Sequence, residues 1–525
     1  MEKFLTTETL IIELLLIVSL VAIAVQRVRV PYTVALVIVG LLITFQSPLE
    51  IELTPELILS LFVPPLIFEA AFHIDFHHLR RNLLPILSLA VFGVLLTTFM
   101  VGAIVALGIK LSWTTGFVFG ALIAATDPVA VVALFRALGT PKQLTVLVES
   151  ESLFNDGTAI VLFKLMVINA IAVAAGSAGG ELDVPRAVVD FVRVSVGGLG
   201  IGIGLGWIIS QIIARVDDYL IETTLTTVLA FGAYLIAERF HVSGVLAVVA
   251  AGIVTGNIGP KGMSPTTKIV LFNFWEYLAF VANSLVFLLI GLDVNLPQVI
   301  SQIKPIGVGL AAVIISRAII VYGLTRITNL SRQKVPLKYQ HVLFWGGLRG
   351  AISLALVLSL PASFGDRELL RVMTFGVVLF TLLVQGTTMP FLMRLLKLVQ
   401  TGTAQLECQR RHGRVAAARA AYQRLEELHG KGLITAATWS ALRPELENRV
   451  EDSRQAQLQL LEQHPELQAE EREEAEQEAL RAERATLATL LSNGLISERT
   501  YEELVTEVDE SLEKRGNDKQ PGGHG

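Results

Sequence analysis

The sequence predicts an all-α polytopic membrane protein that continues into a cytoplasmic helical tail, and three observations lead to this fold class. Of the 525 residues, 53% are hydrophobic and 17% are charged, and the mean hydropathy is +0.60. Soluble domains average about 25% charged residues, so a soluble chain of this size would lack the polar surface to cover itself. About thirteen apolar segments fill the first 400 residues, and a strongly charged stretch follows them.

The apolar segments can be placed along the chain by length. A helix needs about 20 apolar residues to cross the hydrocarbon core of a bilayer. Segments of this character lie near residues 9–26, 32–46, 55–73, 83–108, 114–137, 143–175, 189–213, 222–238, 243–257, 271–292, 305–325, 340–361 and 370–393. The segment at 143–175 exceeds one span, and we therefore expect it to include a polar lead-in and a loop.

The charges of the connecting loops predict the orientation. Loops after odd-numbered segments hold the basic residues Arg27, Arg29, Arg80, Arg81, Arg136, Lys142, Arg215, Lys261, Lys268, Arg326, Arg332, Lys334 and Lys338. By contrast, 47–54 holds no Lys or Arg, and 176–185 is acidic. The positive-inside rule therefore predicts an outside N-terminus and a cytoplasmic tail, in a plasma (inner) membrane.

A change in charge predicts two domains. Residues 1–400 carry 26 Lys and Arg against 23 Asp and Glu, whereas residues 401–525 carry 16 against 24. We expect a transmembrane domain at 1–400 and an acidic helical tail at 401–525, whose last ten residues, 516–525, are disordered. No basic face with interleaved aromatic residues indicates nucleic-acid binding, and the single Cys408 excludes an intramolecular disulfide.

The tail also contains a repeated turn. Gly432 precedes Thr435 by three residues, and Gly494 precedes Ser497 in the same way. In each copy the glycine suits the C-cap of one helix, and the hydroxyl residue suits the N-cap of the next. The repeat therefore predicts helical hairpins.

The fifth segment contains polar residues where lipid would be. Thr126 and Asp127 stand before Pro128, which has no N–H and whose ring clashes with the carbonyl of Ala124. The helix must kink or unwind there, and such breaks are tolerated only where they line a cavity or a site. An ionisable group at this depth indicates function by default.

The sixth segment supplies a second carboxylate. Ser152 and Asp156 are four residues apart and share a helix face, and Asn155 is adjacent. Carboxylate, amide, hydroxyl and carbonyl oxygens are the ligands of hard cations. The sequence therefore predicts a cation shell from Asp127, Asp156, Ser152, Asn155 and the Thr126 carbonyl. Glu69 of the third segment either completes this shell, forms a gate or has a plain structural role. No His or Cys set has zinc spacing, and no HExxH motif is present.

Buried arginines require carboxylate partners. Arg317 lies in an apolar segment, and Glu151 is its natural partner because it flanks the Asp156 face without belonging to it. Lys164 and Glu276 are also embedded, and the sequence gives neither a firm partner.

A glycine cluster surrounds the second buried arginine. Arg349 follows Gly346 and Gly347 and precedes Gly350. Small residues of this kind permit a close helix crossing or a second unwound segment.

Four motifs together resemble the monovalent cation:proton antiporter-1 family, which comprises bacterial NhaP-type antiporters and animal and plant sodium/proton exchangers. The motifs are Thr126-Asp127-Pro128, Glu151-Ser152-Leu153-Phe154-Asn155-Asp156-Gly157, Phe274-Trp275-Glu276 with Asn283-Ser284, and Gly346-Gly347-Leu348-Arg349-Gly350-Ala351. The resemblance covers residues 10–395. It implies two inverted repeats, crossed and unwound fifth and twelfth spans, and a homodimer with elevator-type alternating access.

The resemblance also implies roles for individual residues. Asp156 is the ion-exchanging carboxylate, supported by Asp127 and the Thr126 backbone oxygen, and Asn155 and Ser152 shape the site. Glu69 matches an additional ligand position of archaeal members, and Glu151 with Arg317 matches a structural ion pair. Pro128, Gly347, Arg349 and Gly350 support the helix crossing. Electrogenic relatives carry Asp where this chain has Asn155, so the resemblance implies electroneutral exchange.

These inferences give a functional hypothesis without an enzymatic activity or a cofactor. Asp156 binds either a proton or a dehydrated Na⁺ or Li⁺ ion, so the two compete and the pH gradient expels sodium, which serves pH homeostasis and salt tolerance. A potassium/proton antiporter on the same fold is the nearest alternative. A cation channel would need a repeated filter or carboxylate ring. An intramembrane aspartyl protease would need Asp127 and Asp156 to share a proton, and neither motif resembles that of a protease.

Overall fold

The computed structural model describes residues 2–25, 32–46, 58–138, 140–175, 184–216, 218–259, 263, 265–293, 296–330, 334–361, 363–398 and 403–465, with parts of 468–508. Throughout these residues the regular elements are helices and no strand is present, which confirms the predicted all-α class. The chain divides into two compact units, Met1–Val399 and Gln400–Gly525.

The first part of the membrane unit leads up to the long central helix. Its elements are α1 (Glu2–Val25), α2 (Tyr32–Gln46), a π-helical turn (Ile58–Phe62) that leads into α3 (Val63–His73), α4 (Phe76–Arg81), α5 (Leu83–Leu87), a second π-helical turn (Ser88–Gly93), α6 (Val94–Ile109), α7 (Trp113–Ala124), α8 (Val129–Leu138) and α9 (Lys142–Ala174).

The second part of the membrane unit follows the long central helix. Its elements are α10 (Val184–Ile213), α11 (Tyr219–Arg239), α12 (Gly244–Ile258), α13 (Pro265–Asp293), α14 (Leu296–Ser301), α15 (Ile303–Thr328), α16 (Leu337–Trp345), α17 (Ala351–Leu358), α18 (Arg367–Phe380), a third π-helical turn (Thr381–Gly386) and α19 (Thr387–Leu395).

Seven helical stretches of the described chain are long and apolar enough to cross a bilayer, which makes this a multi-pass membrane protein. They are Leu83–Ile109, Gln143–Ala174, Pro185–Ile213, Tyr219–Arg239, Thr267–Leu292, Ile303–Thr328 and Arg367–Leu395. Shorter apolar helices cover Ile12–Val25, Tyr32–Thr44, Ile58–His73, Trp113–Ala124 and Gly244–Ile258. The predicted segments at 114–137 and 340–361 are each divided into two helices, and the exact number of thirteen spans stays a prediction.

The prediction of a loop within 143–175 is wrong. Lys142–Ala174 is one continuous helix of 33 residues, and the polar lead-in forms its first turns. No proline interrupts it, and its single glycine, Gly157, serves helix packing. A Cβ atom on Gly157 would lie 2.4 Å from Leu246 Cδ2 of α12, so the missing side chain gives α12 room.

Helices of the membrane unit approach closely at small residues, as is usual where helices associate in lipid. A Cβ on Gly202 of α10 would lie 2.1 Å from the Ala247 carbonyl oxygen of α12. Gly120 of α7 is equally close to the Thr98 carbonyl of α6. The second of these contacts holds α7, which carries part of the candidate site, against its neighbour.

The tail unit contains the predicted helical hairpin. Helices α20 (Thr403–Gly430) and α21 (Ala436–Gln463) are joined by a turn in which Gly432 has a φ of +68°, a left-handed conformation that favours glycine. Thr435 caps α21, because its side chain accepts a hydrogen bond from the Thr438 N–H at 3.2 Å. Ser497 does the same for the Thr500 N–H at 3.2 Å, which confirms the predicted N-cap of both copies.

Candidate functional site

Two interrupted helices meet in the membrane unit. The chain is non-helical at 125–128, between α7 and α8, and again at 347–350, between α16 and α17. Pro128 prevents continuation of the first helix, and glycines relax the backbone of the second. The N–H of Asp127 donates a hydrogen bond to the Leu348 carbonyl at 2.8 Å, which joins the two interruptions directly.

Arg349 stabilises the end of α7. Its guanidinium is 1% exposed, and Nη1 donates to the carbonyls of Ala124 at 2.7 Å and Ala125 at 3.1 Å. These carbonyls have no partner within the helix, because the helix ends there. A cation at a helix C-terminus also complements the negative end of the helix dipole.

Arg317 stabilises the end of α16 in the same way. Its Nη2 donates to the Leu343 carbonyl at 3.1 Å, in the last turn of that helix. The same guanidinium forms a bidentate ion pair with Glu151 of α9, at 2.8 Å from Nη1 to Oε1 and 3.2 Å from Nη2 to Oε2. Both side chains are more than nine-tenths buried. The pair therefore links α9, α15 and α16, and its role as a support of the site remains a prediction.

Asp127 lies at the beginning of the other two half-helices. Its Oδ1 accepts a hydrogen bond from the Val129 N–H at 3.0 Å, at the start of α8. Its Oδ2 faces Gly350, the residue before α17, where an added Cβ would lie only 2.1 Å away. The positive ends of both helix dipoles consequently point at this carboxylate.

Helix α9 is tied to the first interruption by polar side chains. Ser152 Oγ donates to the Thr126 carbonyl, and Thr126 Oγ1 donates to Ser152 Oγ at 3.3 Å. Asn155 Nδ2 donates to Thr126 Oγ1 at 3.0 Å. Asp156 belongs to the same helix and is 8% exposed, and its Oδ1 has no hydrogen-bond partner among the described residues.

A cavity of about 90 Å³ opens between these elements. The predicted site residues that line it are Thr126, Asp127, Pro128, Ser152, Asp156 and Gly350. The part of the lining that comes from α3 is aliphatic. Glu69 also lies on α3, but it is not among the lining residues, and its Oε1 is 3.4 Å from His73 Nδ1. The structure thus brings Asp127 and Asp156 to one cavity and does not bring Glu69 to it.

Three polar residues that line the cavity were not predicted from the sequence. Glu149 stands three residues before Ser152 on one face of α9, so helical periodicity could have identified it. Ser353 of α17 and Asn283 of α13 also line the cavity. Asn283 belongs to a motif used for the family resemblance and Ser353 stands two residues after another, but no feature of the sequence indicates that they meet Asp156.

The two embedded residues without predicted partners are placed differently. Lys164 of α9 forms an ion pair with Glu238 of α11, with 2.9 Å between Nζ and each carboxylate oxygen. Glu276 is exposed on α13 beside the buried Trp275, whose Nε1 donates to Thr226 Oγ1 at 3.1 Å.

The atoms of the cavity that could bind a cation are oxygen atoms. Among the residues that the structure describes, no cluster of three or more His, Cys, Asp or Glu side chains could hold a metal ion. The cavity instead combines the buried Asp156 and the partly buried Asp127 with hydroxyl groups at an unwound backbone. Such an arrangement suits a weakly held, exchangeable hard cation better than a permanent metal centre.

Comparison with known proteins identifies the family. A family profile described as "Sodium/hydrogen exchanger, transmembrane" matches residues 14–395, which include both interrupted helices. The chain belongs to this family. The match stops at 395, so it leaves the tail unit outside.

Similar members of the sodium/hydrogen exchanger family include two cyanobacterial proteins. The Na(+)/H(+) antiporter ApNhaP of Aphanothece halophytica is 44% identical over 373 residues, 71% of this chain and 70% of that protein. The low-affinity Na(+)/H(+) antiporter NhaS1 of Synechocystis is 37% identical over 498 residues, 91% of either chain. The solved structure of the sodium proton antiporter MjNhaP1 from Methanocaldococcus jannaschii matches with a TM-score of 0.62 at 20% identity, covering 75% of this chain and 99% of that one. The last comparison shows a shared fold.

Proposed function

We propose that this protein is a sodium/proton antiporter in which Na⁺ and H⁺ compete for Asp156. The observation that carries the proposal is the Asp156 carboxylate. It is buried in the membrane unit, its Oδ1 has no hydrogen-bond partner among the described residues, and it lines a cavity beside Asp127. Similarity to proteins named Na(+)/H(+) antiporter supports Na⁺ as the cargo, and Li⁺ is expected to follow the same route.

Competition at one carboxylate couples the two ion movements. A proton and a dehydrated Na⁺ ion each neutralise Asp156, but they cannot occupy the same oxygen at once. A bare carboxylate within the membrane is costly, so the loaded forms change access more readily than the empty anionic form. Each cycle then exchanges one proton for one sodium ion.

Electroneutral exchange is supported by the neighbour of Asp156. Asn155 is a neutral amide that donates to Thr126 Oγ1, and it adds no second titrating charge next to the exchanging group. Glu151, another acidic residue of this helix, is held by Arg317. The transported charge per cycle is therefore zero under this proposal.

The larger architecture follows the same proposal. We infer thirteen spans in two inverted repeats, with the half-helices α7–α8 and α16–α17 as the crossed, unwound pair, and a homodimer that moves the site by an elevator motion. The N-terminus would lie outside the inner membrane and the acidic tail in the cytoplasm, where it regulates transport or supports dimer contacts. A truncation near residue 400 that leaves pH dependence, salt dependence and assembly unchanged would refute this role of the tail.

Exchange in everted membrane vesicles tests the proposal. Addition of Na⁺ or Li⁺ to vesicles with an acidic interior should release protons in wild type, and Asp156→Asn should abolish this release. Asp190→Asn is a matched control, because Asp190 pairs on α10 with Arg193 at 3.5 Å, outside the cavity. Sodium-dependent proton movement that survives in Asp156→Asn contradicts the assignment.

A faster response to K⁺ than to Na⁺ would establish the potassium/proton alternative, and a rate that depends on membrane potential would contradict electroneutrality.

A further inference from the structure

Two neutral residues of the predicted cation shell, Thr126 and Ser152, have their oxygen atoms already engaged in hydrogen bonds. Asn155 Oδ1 has no such bond among the described residues, but Asn155 is not among the residues that line the cavity. The Thr126 carbonyl accepts from Ser152, and the Thr126 hydroxyl accepts from Asn155 and donates to Ser152. A cation that took all of these atoms as ligands would compete with the hydrogen bonds that join α9 to the interruption. Oxygen atoms without such bonds are better placed to bind it.

Ser353 offers one of these oxygens. It is 0% exposed, its Oγ has no hydrogen-bond partner among the described residues, and it lines the cavity. Hydroxyl side chains in apolar helices usually donate to the carbonyl four residues earlier. Thr374 does so to Leu370 at 2.7 Å. For Ser353 the fourth preceding residue is Arg349, which lies in the non-helical interruption, so the helix offers no such acceptor.

Asn283 of α13 offers a second oxygen. It is 8% exposed and lines the cavity. The neighbouring Ser284 is engaged elsewhere, with its Oγ 2.9 Å from the Tyr32 hydroxyl. Val63, Leu66, Ile67 and Ala70 of α3, which also line the cavity, are aliphatic. Asn283 therefore adds a neutral polar group to the cavity that Asp127 and Asp156 line.

A buried hydroxyl without a partner costs free energy, and a bound cation would supply the interaction that Ser353 lacks. Hard cations complete their shells with neutral oxygens as well as carboxylates. We propose that Ser353 Oγ and Asn283 Oδ1 contact the transported cation and determine which alkali cation is carried. This inference rests on the proposed function, since it requires that a cation occupies the cavity at Asp156.

Purified protein in proteoliposomes provides the test. The variants are Ser353→Ala and Asn283→Leu, the latter of which keeps the side-chain size and removes the amide. The apparent KM for Na⁺ should rise about tenfold in each, as expected for loss of one bond to a charged partner, while the maximal rate stays within about twofold. The ratio of the Na⁺ and Li⁺ KM values should change by about threefold or more, because the two ions differ in size and each lost ligand weakens them unequally.

Two controls remove a hydroxyl whose hydrogen bond is already made. Ser359→Ala lies at the end of α17, where the hydroxyl bonds the Leu356 carbonyl at 2.7 Å, and Ser284→Ala lies next to Asn283. Both should retain the KM and the ion preference of the wild type. Ser353→Thr keeps an oxygen at the same position and should also retain them, which guards against a general packing effect.

The outcomes separate the inference from the proposed function. Wild-type protein without Na⁺-dependent exchange would overturn both. Active wild type combined with unchanged KM values and an unchanged Na⁺/Li⁺ ratio in Ser353→Ala and Asn283→Leu would overturn the inference alone. Should a variant fold poorly, Na⁺-dependent thermal stabilisation in detergent, compared with choline, measures binding directly. Stabilisation at wild-type Na⁺ concentrations in both variants would also overturn the inference.

Discussion

Gly350 lies directly against the carboxylate of Asp127, so that a Cβ atom at this position would come within 2.1 Å of Oδ2 and 2.4 Å of Asp127 Cβ. The contact joins the second interruption to the first. It explains in steric terms why a glycine is needed before α17.

Gly350→Ala should displace Asp127 and reduce exchange. A displacement of about 1 Å at such a site can cost about 100-fold in rate, and we expect a loss of this order. Initial rates of Na⁺-driven proton release in vesicles measure it. Gly323→Ala is the matched control on α15, because nothing lies within 4 Å of an added Cβ there. Equal activity in the two variants would show that the close approach has no functional importance.

Removal of one partner of the Glu151–Arg317 pair should destabilise the protein more than removal of both. A single buried charge without its partner costs about 3–5 kcal/mol, whereas replacing the pair by apolar side chains costs less. We expect Glu151→Leu and Arg317→Met to lower the thermal unfolding midpoint in detergent strongly, and the double variant to recover part of the loss. Similar midpoints in all three variants would argue against this account.

Arg349→Met should weaken the crossing through the lost bonds to Ala124 and Ala125. Each hydrogen bond from a charged donor contributes about 1.5–3 kcal/mol, so we expect reduced stability together with impaired exchange. Arg349→Lys keeps the charge but not the planar guanidinium, and an intermediate result is expected. Unfolding midpoints and vesicle exchange rates, measured side by side, check both. Wild-type values for Arg349→Met would refute the proposed capping of α7.

Acid should loosen the hairpin of the tail. The hydrogen bond from Arg443 lowers the pKa of Glu447 below its usual 4.5, and hydrogen bonds from Lys431 and then Arg424 lower the pKa of Glu427. A carboxylate whose pKa is depressed by folding stabilises the fold above its ordinary pKa, and this contribution disappears as the pH falls through the folded-state value. The hairpin should therefore be most stable above about pH 4.5 and lose stability below it.

Hydrogen exchange of the full-length protein can follow this change. Amides of α21, corrected for intrinsic rates, should exchange faster as the pH falls from 5 to 3. Glu447 also accepts a hydrogen bond from Tyr422 of α20 at 3.2 Å, so Glu447→Gln should raise exchange at neutral pH and flatten the pH dependence. A variant with the same pH dependence as the wild type would assign the acid response to other groups.

The parts of the site that could be predicted are those where charge conflicts with an apolar surrounding. Asp127, Asp156 and Arg317 stand out in apolar segments, and Pro128 locates a helix break by its own chemistry. Ser353 and Asn283 could not be found in this way, because hydroxyl and amide groups are common in membrane helices. Their approach to the cavity depends on packing between segments far apart in sequence.

Length and pairing set two further limits on prediction. A span of about 20 residues is recognised easily, but broken helices such as α7 and α16 are too short for this criterion, so the sequence gives only an approximate span count. The partner of Lys164 is Glu238, 74 residues away, and no local periodicity connects them. By contrast, the turn at Gly432 and Thr435 could be predicted, because the capping preferences of these two residues depend only on the local backbone.

The aliphatic side chains that α3 contributes to the cavity have a consequence for the rate of the proposed conformational change. Val63, Leu66, Ile67 and Ala70 offer only dispersion contacts to the surface that carries the aspartates. Such contacts are weak singly and re-form after a small shift, so the proposed elevator motion would break no hydrogen bond to these four side chains. We therefore expect this wall to add little to the energy barrier of that motion.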